Sequence, residues 1–487
     1  MKLRDTVIAV ALAFPLLASA QSTAQLQSEI ETLKAQIKEL QDLVKGRASA
    51  AATAAPAASA EPVVELEEFN RIKTKVEAAE DTSNVNGMKG LRISGGIDPV
   101  YIYNQAKNTS SFAFGNNFAH TGTDTDSLFS YDNSYFGMAY IDFQKEMEGG
   151  TKLRLTLAPT KSVASGFSGS IIQEASASIP LTDAQTRLMV GQMGDVSGYE
   201  PTLSTYAGAN NVTSNQLYPG YGEYFVTKNL LFDFTAANFY TGVGLDLVRG
   251  PWEYKFWLAN LNANRNDLAV TSSNDGGLQA PAFIYNATYA QDEFWGFEFT
   301  GYAAQVPNFT TGVLGRMDQF EIDGNYTRGD FNGNLQLTVG QMANGAFNGQ
   351  DANWWGVSAL ASQKLGAKWT LAGRVDYLNN QSNGGGIYTL ASNLGTLANP
   401  AYNGSAALGD VINGFGPGDP NDPSYDPNVG ANRYALTVAA TYRLNPNVAL
   451  RSELRRDFAT TSAFYNFNSG TFQNTNTTVA FQAVINF

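Results

Sequence analysis

The charged residues of this 487-residue chain are few, and many fall in sets that skip one position. Lys152 and Arg154, Glu321 and Asp323, Arg374 and Asp376, and the run Arg451, Glu453, Arg455 all have this spacing. In an extended chain, side chains two apart share a face. Each set therefore gathers its charges on one side and leaves the other to its neighbours, as Leu153, Leu155 and Leu157 alternate with Lys152, Arg154 and Thr156. The chemistry open to such sets is non-covalent: holding water, ions and charged solutes. Residues for breaking bonds are scarce. The chain has one histidine, His120, and no cysteine, so zinc sites and catalytic triads lack their parts. Asp419, Asp422 and Asp426 lack the spacing of a calcium loop and read as turn formers. We expect no catalytic residue, no metal ligand and no cofactor.

Charged residues are 15% of the chain, against roughly 25% in soluble domains. Hydrophobic residues reach 43% and aromatics 12%, yet mean hydropathy is only -0.21. A wall with hydrocarbon on one face and water on the other explains that combination. The net charge is -13 and no basic block occurs, which argues against nucleic acid as a partner. Without cysteine there is no disulfide framework.

Residues 1–20 read as a secretory signal peptide: Lys2 and Arg4, the apolar run Val7–Leu17, and Ala18-Ser19-Ala20 as the cleavage pattern. Next come Leu26, Ile30, Leu33, Ile37, Leu40 and Val44, spaced alternately by four and three. That is a heptad seam, so residues 21–46 are expected to form a coiled coil rather than a solitary amphipathic helix. Ile30, Ile37 and Val44 at a with leucine at d favour two strands, while Leu43 widens the apolar face and keeps three open. Residues 47–62 are an Ala/Ser/Pro linker, and residues 63–87 a short amphipathic helix.

From Leu91 to Phe487 the pattern changes to alternation. The last stretch carries Val479, Phe481, Ala483, Ile485 and Phe487 on one face, with Thr478, Gln482 and Asn486 among the residues of the other. Sixteen such stretches can be placed, the weakest at 170–180 because it is rich in small residues and holds Pro180. Connections alternate between seven short turns, such as Arg249–Pro251 and Arg328–Asp330, and eight long loops. This predicts an all-β fold over residues 88–487: a 16-stranded antiparallel transmembrane β-barrel, with both chain ends on the short-turn side.

Taken together, the elements resemble Gram-negative outer-membrane porins. The prefix more narrowly resembles the DcaP-like porins, which carry an N-terminal periplasmic coiled coil. The resemblance covers residues 88–487 and 21–46. It implies a bacterial outer-membrane location in contact with lipid and lipopolysaccharide, and a homotrimer. It also implies an assembly signal at Phe487 for the outer-membrane insertion machinery. The coiled coil would then face peptidoglycan or a periplasmic partner.

Strand parity assigns the pore lining. Arg92, Lys152, Arg154, Arg374, Arg433, Arg451 and Arg455 point inward on strands one, three and thirteen to fifteen. Asp246, Glu253, Glu298, Glu321 and Asp323 point inward on strands six to ten. The expectation is a transverse field between a basic and an acidic wall; the alternative is local ion pairs that only hydrate the lumen. The third long loop, Gly194–Asn238, carries Asp195, Glu200 and Glu223 and is expected to fold inward and narrow the passage. The function so implied is passive diffusion of small hydrophilic solutes through a constricted, water-filled channel. A channel specific for anions, sugars or dicarboxylates, and an envelope tether acting through the coiled coil, are the alternatives.

Overall fold

The computed structural model describes residues 71, 73–75, 89–106, 108–114, 137, 139–158, 172–200, 224–236, 239–262, 281–307, 314–387, 413–466 and 468–487. The expected signal peptide, coiled coil and linker lie outside these residues. Of the expected helix at 63–87, residues 71 and 73–75 are described, and they are helical. Lys89–Phe487 forms one compact unit.

Alternating sequence becomes one closed antiparallel sheet of sixteen staves. The first is Leu91–Ile97 continued by Val100–Asn104, and the second is Thr109–Ala113 with Ala139–Glu146. The third to eighth are Lys152–Leu157, Ile172–Asp183, Thr186–Gly194, Phe239–Arg249, Trp252–Asn262 and Ala282–Ala290. The ninth to thirteenth are Trp295–Pro307, Leu314–Arg328, Phe331–Met342, Ala352–Leu365 and Trp369–Asn379. Arg433–Asn445, Val448–Ala459 and Thr475–Asn486 complete the ring. The last strand closes on the first, with Ile97 opposite Ile485 and Val100 opposite Gln482. Phe487 exchanges backbone hydrogen bonds with Gly95 at 3.2 and 2.9 Å. Closure leaves no sheet edge, and that is what lets strands cross hydrocarbon.

The short turns occur where expected. Two of them, at Gly250 and Gly329, need positive φ (59° and 61°) to reverse a tightly twisted hairpin. Pro180 lies in the fourth strand beside a slip in its pairing with the fifth, between Pro180 and Asp183, where a missing N–H costs the ladder little. One connection differs from expectation. The second strand begins directly after a tight turn at Gln105–Asn108, so Val100 faces Ala113, and it resumes with Ile97 opposite Ala139. The long segment between Phe114 and Gly137 therefore leaves from the middle of a strand, not from its end. Turn-forming Asn104 and Asn108 carried that signal, but the following five-residue strand is too short to stand out.

The outer surface is apolar. Leu335, Leu337, Leu371, Val375, Leu436, Val438 and Leu454 are all exposed there. Aromatic side chains rim the band at both ends. Trp252 and Tyr289, Trp295 and Tyr326, and Trp369 and Tyr442 pair at the short-turn side, at 4.5 to 4.8 Å between ring centroids. Trp355, Tyr377 and Tyr434 cluster at the other side. From Trp369 to Tyr377 a strand rising about 3.3 Å per residue and tilted by about 40° climbs roughly 20 Å. An apolar belt of that order between two aromatic rims matches the hydrocarbon layer of a membrane. No helix among the described residues is long and apolar enough to span it; the strands do.

The inner face is not uniformly wet. At the long-loop ends of the strands the inward residues include Tyr240, Trp257, Ile284, Tyr302, Met317, Trp354 and Leu378, all buried in one cluster. Strand parity tells which face a residue takes but not what covers it. Here the cover is the protein's own loops: Phe347, Ile387, Phe415 and Tyr465 join the same cluster.

Candidate functional site

The third long loop turns inward directly after Gly194. The Asp195 carboxylate accepts hydrogen bonds from the backbone N–H and hydroxyl of Ser197 at 2.9 and 2.8 Å, and from the Tyr240 hydroxyl of strand six. Gly198 follows with φ +74°, and a Cβ there would sit 2.8 Å from the Gln336 amide nitrogen. Only glycine lets the chain run this close to strand eleven. The Val196 carbonyl accepts from Asn286 and Thr300, both at 3.2 Å. Tyr199 reaches Ser358 at 2.6 Å, and Ser358 donates to Asp376 at 2.6 Å.

The returning limb, residues 224–236, is clamped to strands thirteen to fifteen. Glu453 accepts the backbone N–H of Val226 at 2.5 Å, that of Thr227 at 3.1 Å, and the Thr227 hydroxyl at 2.6 Å. Arg374 donates to the carbonyls of Thr227 and Lys228 at 3.0 and 2.9 Å, and Arg455 donates to the Lys228 carbonyl at 2.7 Å. Arg451 donates to the Phe225 carbonyl at 3.3 Å, and the Arg374 guanidinium lies 4.5 Å from the Phe225 ring centre. Charge-assisted bonds to otherwise orphaned backbone groups are among the stronger ones a protein makes. Asn229 caps the helix Leu230–Thr235 by accepting from Phe232 at 2.7 Å and donates to Gln336 at 2.9 Å. The whole helix is buried. Glu200 ties the two limbs together: it accepts from the Asn229 N–H at 2.7 Å and Arg374 at 3.0 Å, with the Lys228 ammonium 3.6 Å away.

The expected site residues thus separate into groups. Asp195, Glu200, Arg374, Arg451 and Arg455 meet at the inward loop. Arg433 lies nearer the long-loop mouth, bonded to Asp457 at 2.8 Å and to the Asn413 carbonyl, between the rings of Phe415 and Phe464. Arg154 is buried on strand three with Asp142 at 2.9 Å and Glu174 at 3.3 Å. Lys152 is half-buried on the inward face of the same strand, and Arg92 is exposed on strand one near the short turns. Glu223 lies outside the described residues, as does His120. The buried arginines take carboxylate partners: Arg374 also faces Asp376 at 3.4 Å, and Arg455 faces Asp457 at 3.0 Å.

Glu298, Glu321 and Asp323 share a different wall. Glu298 and Asp323 are directly opposite on strands nine and ten, and Glu321 follows two residues along. Asp246 accepts from the Trp257 indole at 2.8 Å, and Glu253 pairs with Lys255 at 2.7 Å. Sequence reasoning missed Lys255, the one inward cation among the described residues of strands six to ten, although its parity with Glu253 was readable. It also missed the backbone-holding role of Glu453, which alternation placed between two arginines. No group of three carboxylates or histidines among the described residues is close enough to hold a metal ion.

The fold is similar to that of solved outer-membrane barrels. The anion-selective porin from Comamonas acidovorans is 12% identical, with 82% of this chain and 99% of that chain covered and a TM-score of 0.47. The outer-membrane expressed OmpT of Vibrio cholerae is 9% identical, covering 82% and 97% at a TM-score of 0.46. OmpF of Salmonella typhi, in complex with daunomycin, is 10% identical over the same shares, also at 0.46. No curated protein matches the sequence. Among family models, residues 1–290 and 309–487 match the one described as Protein of unknown function (DUF3138), and the chain belongs to that family.

Proposed function

We propose that this chain is a channel of the bacterial outer membrane that passes small hydrophilic solutes by diffusion, without chemistry or energy coupling. One observation carries the reading: a closed cylinder with a lipid-matched outer belt holds an inward loop by charged side chains instead of letting it stand outside. A loop fixed in this way sets the width and charge of whatever passage remains. The dry cluster at the long-loop end further narrows it. That favours a selecting channel over a wide, general one, and the facing basic and acidic walls favour discrimination by charge.

In this reading the functional unit is a homotrimer set among lipid and lipopolysaccharide. Phe487 is its signal to the insertion machinery, and residues 21–46 form the periplasmic coiled coil that meets peptidoglycan or a partner. Purified protein in a planar bilayer tests it. Discrete conductance steps that persist after deletion of residues 21–87 are expected. A deletion variant with unchanged conductance but a weakened cell envelope would show that the prefix is a tether added to a channel. Absence of any conductance from well-folded protein would overturn the proposal.

A further inference from the structure

Below the dry cluster, the inner wall of strands six to ten turns polar. Asp246, Glu253, Glu298, Glu321 and Asp323 face inward there against the single cation Lys255. Asp323 is 6% exposed, and neither of its carboxylate oxygens has a hydrogen-bond partner; Oε1 of Glu321, itself 2% exposed, has none either. Buried carboxylates are costly unless something cationic or hydrogen-bonding meets them. The other Glu321 oxygen accepts from Gln336 at 2.9 Å and Thr338 at 2.6 Å, and Glu298 accepts from Asn286 at 2.8 Å and Thr300 at 3.0 Å.

We propose that this wall binds an organic ammonium group, the amine end of a permeating cationic solute, against Asp323, Glu321 and Glu298. The inference rests on the channel reading for access to the lumen. Two features point to an amine over a metal ion. No group of three carboxylates among the described residues is placed to hold a metal, whereas an ammonium carries three divergent donors that spaced acceptors satisfy. The chain's own Lys255 ammonium already lies on this wall, 2.7 Å from Glu253.

The test is calorimetric titration of the full-length, detergent-purified protein with 1,6-diaminohexane. The same-length 1,6-hexanediol and the dicarboxylate adipate serve as uncharged and anionic probes, and calcium as the metal. Saturable binding of the diamine alone is expected, weakened at least tenfold in Asp323→Asn and in Glu321→Gln. Both variants shorten no side chain, and heat-modifiable migration on gels reports that each barrel is folded. Binding of calcium in preference to the diamine, equal diamine affinity in the variants, or no diamine binding to the wild type would overturn the proposal. Conductance in parallel separates the two claims: diamine binding without current sinks the channel and keeps the site, and current without binding does the reverse.

Discussion

The two charged walls of this barrel use the same residue types for opposite ends. On strands thirteen to fifteen, Arg374, Arg455 and Glu453 spend their hydrogen bonds on the backbone of residues 226–228. On strands nine and ten, Glu321 and Asp323 leave carboxylate oxygens without partners although they are just as buried. The first wall is a clamp whose charges are consumed by structure. The second leaves oxygens open, and these are what the proposed amine site uses. Inward position and charge alone do not distinguish the two. The returning limb gives its backbone groups to the first wall, whereas the outgoing limb meets the second at Asn286 and Thr300 and leaves those carboxylate oxygens unmet.

Glu453→Leu should break the clamp most severely. Its side chain offers no acceptor to the Val226 and Thr227 N–H groups, and each buried amide left unpaired costs about 1–3 kcal/mol. Hydrogen exchange over residues 224–236 should accelerate by tenfold or more, since roughly 1.4 kcal/mol of lost local stability is one decade. Single-channel current should rise or become noisy. Unchanged exchange in this segment would mean that Glu453 is not what holds the loop. Arg374→Lys sharpens the point: it keeps the charge but cannot reach the Thr227 and Lys228 carbonyls and Glu200 at once. A loosened segment in that variant assigns the clamp to geometry, and an unaltered one assigns it to charge.

Selectivity should divide the walls in the other direction. A unit charge about 8 Å from a passing ion is worth about 2 kcal/mol at an effective dielectric near 20. Neutralising the acidic wall with Asp323→Asn and Glu321→Gln should move the reversal potential toward anions. Arg451→Ala with Arg455→Ala should move it toward cations but by less, because Arg455 already faces Asp457. A larger shift from the arginine pair would restore a simple transverse field and undo the contrast drawn above.

Much of this was readable beforehand, and the reason is the period of two. Alternation located the sixteen strands, and turn chemistry at Arg249–Pro251 and Arg328–Asp330 located their reversals. Parity placed Arg374, Arg455, Glu321 and Asp323 on the inner face. What alternation cannot carry is the identity of the inner solvent. Trp257 and Trp354 sit on inward positions, and a sequence reader assigns those to water; only the loop residues Phe234 and Phe415, stacked edge-on at 4.6 Å, make them dry. Glu453 was similarly opaque. Its partners are main-chain amides more than two hundred residues away, and backbone groups leave no residue-type signal.

The smallest test concerns the helix that the clamp delivers to the wall. Gly356 on strand twelve faces it: an added Cβ would lie 2.2 Å from a Leu231 methyl and 2.7 Å from the Tyr377 carbonyl oxygen. Gly373 on strand thirteen has nothing within 4 Å. Gly356→Ala should therefore cost about 1 kcal/mol by overpacking, with the methyl yielding and the carbonyl not. Gly373→Ala should be neutral or slightly stabilising in a strand, where glycine has no side chain to pack. Thermal unfolding in detergent ranks the two. If they are equal, the helix Leu230–Thr235 does not rest on this wall in solution, and the clamp holds a loop that stops short of the dry cluster.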